Sequence, residues 1–129
     1  MAEQTALDTD RLTDLLRGDA ELAEQLSFCK RVWIPLVVLG EIRAGFLAGM
    51  RSGHNERRLW RLLAQPTVEL LLADRETAEQ YARLWVQLKR AGTPIPDNHL
   101  WIAALALQHG LRLVTRDAHF EKIPQLLLG

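Results

Sequence analysis

A chain of 129 residues, 48% of them hydrophobic, has material for one compact core, so a single domain spanning residues 1–129 is expected. Sixteen basic residues balance sixteen acidic ones, which excludes the strongly basic footprint of a dedicated nucleic-acid binder and leaves only a local patch open. The single cysteine, Cys29, excludes an internal disulfide and suits a reducing compartment, and no apolar run approaches the ~18 residues of a spanning helix, so a soluble, cytoplasmic protein without a membrane partner is expected.

The opening "MAEQTALDTD" has neither a basic nor an apolar leader segment, and "TAL" reads as a short strand ahead of Asp8. A helix from about Asp10 to Leu16 stops at Gly18, and a second, "DAELAEQLSF", has Asp19 as its N-cap. "RVWIP" is rich in β-formers and leads into "LVVLGEIRAGFLAGM", where Val38, Ile42 and Phe46 recur at helical spacing. "NERRLWRLLAQ" is an amphipathic helix ending before Pro66, "VELLLA" a strand, and "DRETAEQYARLWVQLKRAG" a capped helix that stops at Gly92. "DNHLWIAALALQHG" is apolar nearly all round and is expected to be buried, followed by the strand "LRLVT" and a tail with a helical turn and a last short strand. Strands alternating with helices predict an α/β fold with a mostly parallel central sheet covered on both faces, and ligands of such sheets bind beyond the carboxyl ends of the strands.

Four acids fall near that edge. Asp8 follows the first strand, Asp117 follows "LRLVT", and Asp97 opens the buried helix. Glu41 shares a helix face with Val37, Ala44, Gly45 and Ala48, a small and apolar run expected to pack closely and carry the carboxylate inward. Converging carboxylates repel one another unless a cation neutralises them, and all-oxygen ligands suit Mg²⁺ or Mn²⁺, which polarise a phosphate and activate a water. Each acid also has a plainer reading. Asp8, Asp97 and Asp117 are placed to cap the helix or turn that follows, and Glu41 could pair with Arg43 or Arg116.

Three segments in order, "LDTD", "IPLVVLGEIRAGF" and "HLWIAALALQHGLRLVTRDAHF", make the chain similar to PIN domains, and most similar within that fold to the VapC-type toxins of toxin–antitoxin pairs. The resemblance implies a three-layer α/β/α sandwich and a Mg²⁺- or Mn²⁺-dependent endoribonuclease, restrained by a cognate antitoxin. It places Asp8, Glu41 and Asp117 on three of the family's four acidic metal-binding positions, and Thr115 on the hydroxyl position that orients a carboxylate or a water. The fourth position falls on His99, three residues before the Ile of "IAA", where the family carries Asp.

Asp97 does not simply replace that acid, because residues two apart on a helix point ~200° apart. Three readings of His99 stay open. It is a working metal ligand better suited to Mn²⁺ than to Mg²⁺, or the mark of an inactivated enzyme, or a plain helix-start residue while Asp97 reaches the site. The alternative function is accordingly a catalytically impaired PIN-fold module that binds RNA or an antitoxin without cleavage. Arg51, His54, Arg57, Arg58 and Arg61 read either as an RNA-tracking patch or as a solvated helix face, and Lys89 and Arg90 complement a helix C-terminus. Trp101 is expected in the core. Trp60 and Trp85 are expected on an exposed apolar surface of residues 55–91, used for a homodimer or for antitoxin binding.

Overall fold

The computed structural model describes residues 3–49 and 52–129. Strands β1 (Gln4–Leu7), β2 (Arg31–Pro35), β3 (Val68–Leu71), β4 (Arg112–Val114) and β5 (Leu127–Leu128) form one sheet in the order β3-β2-β1-β4-β5. Every neighbouring pair is parallel. Parallel neighbours need crossovers rather than hairpins, and α1 (Thr9–Leu16), α2 (Ala20–Ser27), α3 (Leu36–Ala48), α4 (Ser52–Leu63), α5 (Arg75–Arg90) and α6 (Asp97–Gln108) supply the first three; a 3₁₀ turn, Ala118–Lys122, leads from β4 to β5.

From β1 the chain steps through β2 to β3 in one direction and then returns past β1 to β4. Right-handed crossovers therefore lay α1–α4 over one face and α5 and α6 over the other. The packing agrees, since α1 meets α2, α3 and α4, whereas α5 packs on α6. The result is a three-layer α/β/α sandwich whose strand order reverses between β1 and β4. The carboxyl ends of those two strands, in register through Ala6–Leu113 and Leu7–Val114, open the crevice where such sheets bind ligands.

The centre of the sheet is dry. Ala6, Leu7, Ile34 and Leu113 are fully buried, and α6 contributes an unbroken buried run from Ile102 to Ala106, as its all-round apolar sequence predicts. Helix α1 is capped by the Asp8 carboxylate, which accepts the Arg11 N–H at 2.9 Å, and α2 by Asp19, which accepts from Leu22 at 3.0 Å. A reciprocal capping box of Asp74 and Thr77 starts α5. Gly18 and Gly92, at φ 92° and 72°, take the left-handed turns that end α1 and α5. No helix among the described residues is long and apolar enough to cross a membrane.

Two expectations need correction. The small residues Ala44, Gly45 and Ala48 of α3 are exposed, and its buried residues are Val38 and Ile42 instead. Trp101 is half-buried, stacked on Tyr81 with ring centroids 4.1 Å apart in the α5–α6 contact. Trp60 and Trp85 are both exposed, as expected, and stand on α4 and α5, in opposite layers.

Candidate active site

The first residue beyond β1 is Asp8, only 3% exposed. One of its oxygens caps α1 and the other accepts the Thr115 hydroxyl from the end of β4. Thr115 in turn accepts the Asp117 N–H at 3.0 Å, so one side chain ties the exits of the two central strands together. Burial pushes the Asp8 carboxyl above its ordinary value of 3.8, against the opposing hydrogen bonds from Thr115 and the Arg11 N–H, and the charges of Asp10 and Asp117 add to the rise.

Glu41 arrives from α3 without the close packing expected of its helix face. Its orientation comes instead from two donors on other elements: the Thr9 hydroxyl at 2.8 Å on one oxygen and the Asn98 amide nitrogen at 2.9 Å on the other. Neither arginine considered as a partner is engaged with it, since Arg43 pairs with Glu56 and Arg116 with Asp14.

Asp117 follows β4 and caps the 3₁₀ turn by accepting the His119 N–H at 2.9 Å. His99 Nε2 lies 2.7 Å from its other oxygen. Burial alone would raise the Asp117 carboxyl; the His119 N–H and the His99 ring outweigh it, and the group lies below its ordinary value. Asp8, Glu41, His99 and Asp117, with Thr9, Asp10, Asn98 and Ile102, line one cavity of about 120 Å³.

Asp97 stands apart from this group. It lies inside the first turn of α6, makes no cap, accepts a hydrogen bond from the Tyr81 hydroxyl, and lines a larger cavity of about 370 Å³ beside Trp85 and Lys89. The roomier cavity holds no second carboxylate, whereas the smaller one gathers four. Thr9, Asp10, Asn98 and His119 escaped the sequence reading. Thr9 and Asp10 were visible inside "LDTD", and Asn98 and His119 as polar residues flanking His99 and Asp117, but nothing in their spacing says which way they point.

The donor set fits a divalent cation. Four carboxylates, those of Asp8, Asp10, Glu41 and Asp117, and an imidazole surround a space of a few water volumes, and burial raises the pKa of the most buried carboxylate, a penalty that a cation would relieve. Of the basic residues considered for RNA, Arg57, Arg58 and Arg61 are exposed along α4 and His54 is exposed at its start, while Arg51 lies outside the described residues.

Comparison with known proteins agrees with the architecture. The PIN domain family model matches residues 6–126. Ribonuclease VapC5 of Mycobacterium tuberculosis is 36% identical over 93 residues, covering 72% of this chain and 69% of the relative. Among solved structures, VapBC2 from Rickettsia felis, bound to a DNA fragment from its promoter, superposes with a TM-score of 0.90 at 23% identity, over 98% of this chain and 97% of that one. VapBC-5 from Mycobacterium tuberculosis, of a toxin–antitoxin family, superposes with a TM-score of 0.72 at 29% identity, over 98% and 95%.

Proposed function

The chain belongs to the PIN-domain family, among its VapC ribonucleases, and we propose that Asp8, Glu41 and Asp117 are the carboxylates with which it holds a divalent ion for RNA hydrolysis. It is a nuclease of that family, and its reading as the toxin of a toxin–antitoxin pair follows from the same kinship. The observation that supports the site is the cavity itself, with the four carboxylates of Asp8, Asp10, Glu41 and Asp117 from three separate segments at the strand-order reversal.

A divalent ion, Mg²⁺ or Mn²⁺, supplies Lewis acidity at a phosphodiester and lowers the pKa of an attacking water. The protein's own part is orientation. Thr115 and the Arg11 N–H hold the two oxygens of Asp8, and Thr9 and Asn98 hold both oxygens of Glu41. Because these donors are set before substrate arrives, little reorganisation is left for the reaction. Arg57, Arg58 and Arg61 offer positive charge to the RNA backbone from α4. The partner is a cognate antitoxin, by analogy with the toxin–antitoxin relatives, and the working compartment is the cytoplasm.

One observation favours a second reading, binding without cutting: His99 already engages an oxygen of Asp117 that a metal would need. Cleavage of a structured RNA by the full chain with Mg²⁺, Mn²⁺ or EDTA decides between the two. Ion-dependent cuts support the nuclease, and retention of RNA without cuts under both ions supports the binding module.

A further inference from the structure

A second cavity opens beside the carboxylates. It has a volume of about 280 Å³, lies between α1, α3 and α4, and shares Thr9 and Glu41 with the smaller one. Its walls are of two kinds. Phe46, half-buried, contributes an aromatic ring, whereas Asn55 brings an amide from α4 and Arg17 a guanidinium from the end of α1. On the same two helices that border it, Arg11 is paired with Asp14 and Arg43 with Glu56. Arg17 is exposed and forms no ion pair among the described residues.

Gly45 lines the cavity one helical turn beyond Glu41. Glycine inside a helix weakens it relative to alanine, and such a residue is expected where a close approach needs the missing side chain. Nothing in this chain makes that approach, because a Cβ at Gly45 would meet no atom within 4 Å. The space above it is the cavity.

We propose that this cavity receives one unpaired base of the RNA, from a nucleotide next to the phosphate held at the carboxylates, with Phe46 as its stacking surface and Asn55 reading its edge. This rests on the nuclease reading of the neighbouring cavity. The shared wall argues for continuity, since the turn of α3 from Glu41 to Gly45 rises only ~6 Å and a strand with a phosphate at the first reaches the second with a base. Unpaired bases are recognised by stacking on aromatic rings and by hydrogen bonds to their edges, and an amide supplies both a donor and an acceptor. An aromatic ring, an amide and an unpaired cation suit a flat polar heterocycle on an anionic backbone better than an apolar side chain. Arg17 is placed for an adjoining phosphate, and Arg58, three residues beyond Asn55 on α4, for a further one.

The test is fluorescence anisotropy of the full chain with Mg²⁺ and short phosphorothioate RNA strands, whose linkages resist hydrolysis. Homopolymers of adenine, cytosine and uracil are compared with an abasic strand of equal length. The parent is expected to hold at least one homopolymer ~5-fold or more tightly than the abasic strand, and to rank the three bases. Phe46→Leu should remove the advantage over the abasic strand, Phe46→Tyr should restore it, and Asn55→Ala should flatten the ranking. Arg17→Gln is expected to weaken all strands alike and to lower the salt slope by ~0.7. Gly45→Leu fills the cavity from open space, so it is expected to melt no lower than the parent while losing the preference for bases. That combination cannot come from a damaged fold, and it decides the matter if Phe46→Leu proves unstable. Base-bearing strands bound equally by the parent and Gly45→Leu, as would follow if a protein partner fills the cavity instead, overturn the proposal. So does a parent that binds the abasic strand as tightly as the others. Failure of the nuclease reading looks different: base preference that depends on Phe46 and Gly45, in a folded protein that cuts no ordinary RNA with either ion, sustains this subsite and removes that activity.

Discussion

Asp8 is costly in the absence of a cation. Its folded-state pKa is raised by burial, so its ionised form is less favourable in the native protein than in the unfolded chain. The penalty is absent well below the ordinary carboxylate value of 3.8 and grows as pH rises toward and through the raised value, so it is fully present at neutral pH. Asp8→Asn keeps the cap of α1, because Asn is as good an N-cap as Asp. The metal-free variant is therefore expected to melt above the parent at pH 7, with the gap closing as pH falls toward 3.8, and to lose divalent-ion binding. Thermal melts across pH, with calorimetry for the ion, check both. Asp117 runs the other way: its lowered pKa adds stability that is present at neutral pH and is lost on acidification through its folded value. His99→Asp should add a carboxylate to those of Asp8, Glu41 and Asp117 and raise both Mg²⁺ affinity and Mg²⁺-dependent cleavage, measured at matched ion concentrations. No gain in either would mean that His99 is not at a metal-binding position. Asp8 and Asp117 could be picked out of the chain because strand ends constrain where they fall, Glu41 was reached by a helix-face argument that the packing of α3 does not bear out, and His99 came only from its place in the family motif. Asn98 and His119 could not be picked out, because a residue one or two positions from a recognised one gains its role from a rotamer, which only packing sets.

Helix α6 owes its position to two facts of different kinds. Its all-round apolar composition buries it, a property visible in the sequence, while the side of the sheet it covers depends on the crossover from β3 to β4. The strands, the helices and their stops at Gly18 and Gly92 likewise follow from local patterns of β-formers, apolar periodicity and caps. What local pattern misjudged was the inner face of α3. There the larger Val38 and Ile42 fill the core, leaving Ala44, Gly45 and Ala48 in solvent, since side-chain volume outweighs smallness when a helix lies on a sheet. The capping box of α5 gives a local test. Asp74→Ala removes the acceptor of the Thr77 N–H and of the Gln108 amide, and is expected to lower Tm in a thermal melt, with ion affinity unchanged because the carboxylates of the cavity sit on other elements.

Across the molecule, the layer arrangement separates features that lie close in sequence. Trp60 on α4 and Trp85 on α5 are half exposed on opposite faces of the sheet, so a two-fold dimer through one layer uses at most one of them. Sedimentation of Trp60→Ala and Trp85→Ala is expected to show self-association weakened by one replacement only, and equal weakening by both would contradict the separation. The same topology brings Asp8, Glu41 and Asp117, far apart in the chain, to the edge where β1 and β4 end. Whether ion binding and RNA cleavage coincide there is tested most directly by single-turnover cleavage of a structured RNA at increasing Mn²⁺, for the parent chain and for Asp8→Asn, alongside direct Mn²⁺ titration of each. The parent is expected to cut with a Mn²⁺ dependence that follows its binding curve, and Asp8→Asn neither to bind the ion nor to cut. Cleavage by Asp8→Asn at the parent's rate in saturating Mn²⁺, or undiminished cleavage by the parent in EDTA, would contradict a catalytic centre at these carboxylates.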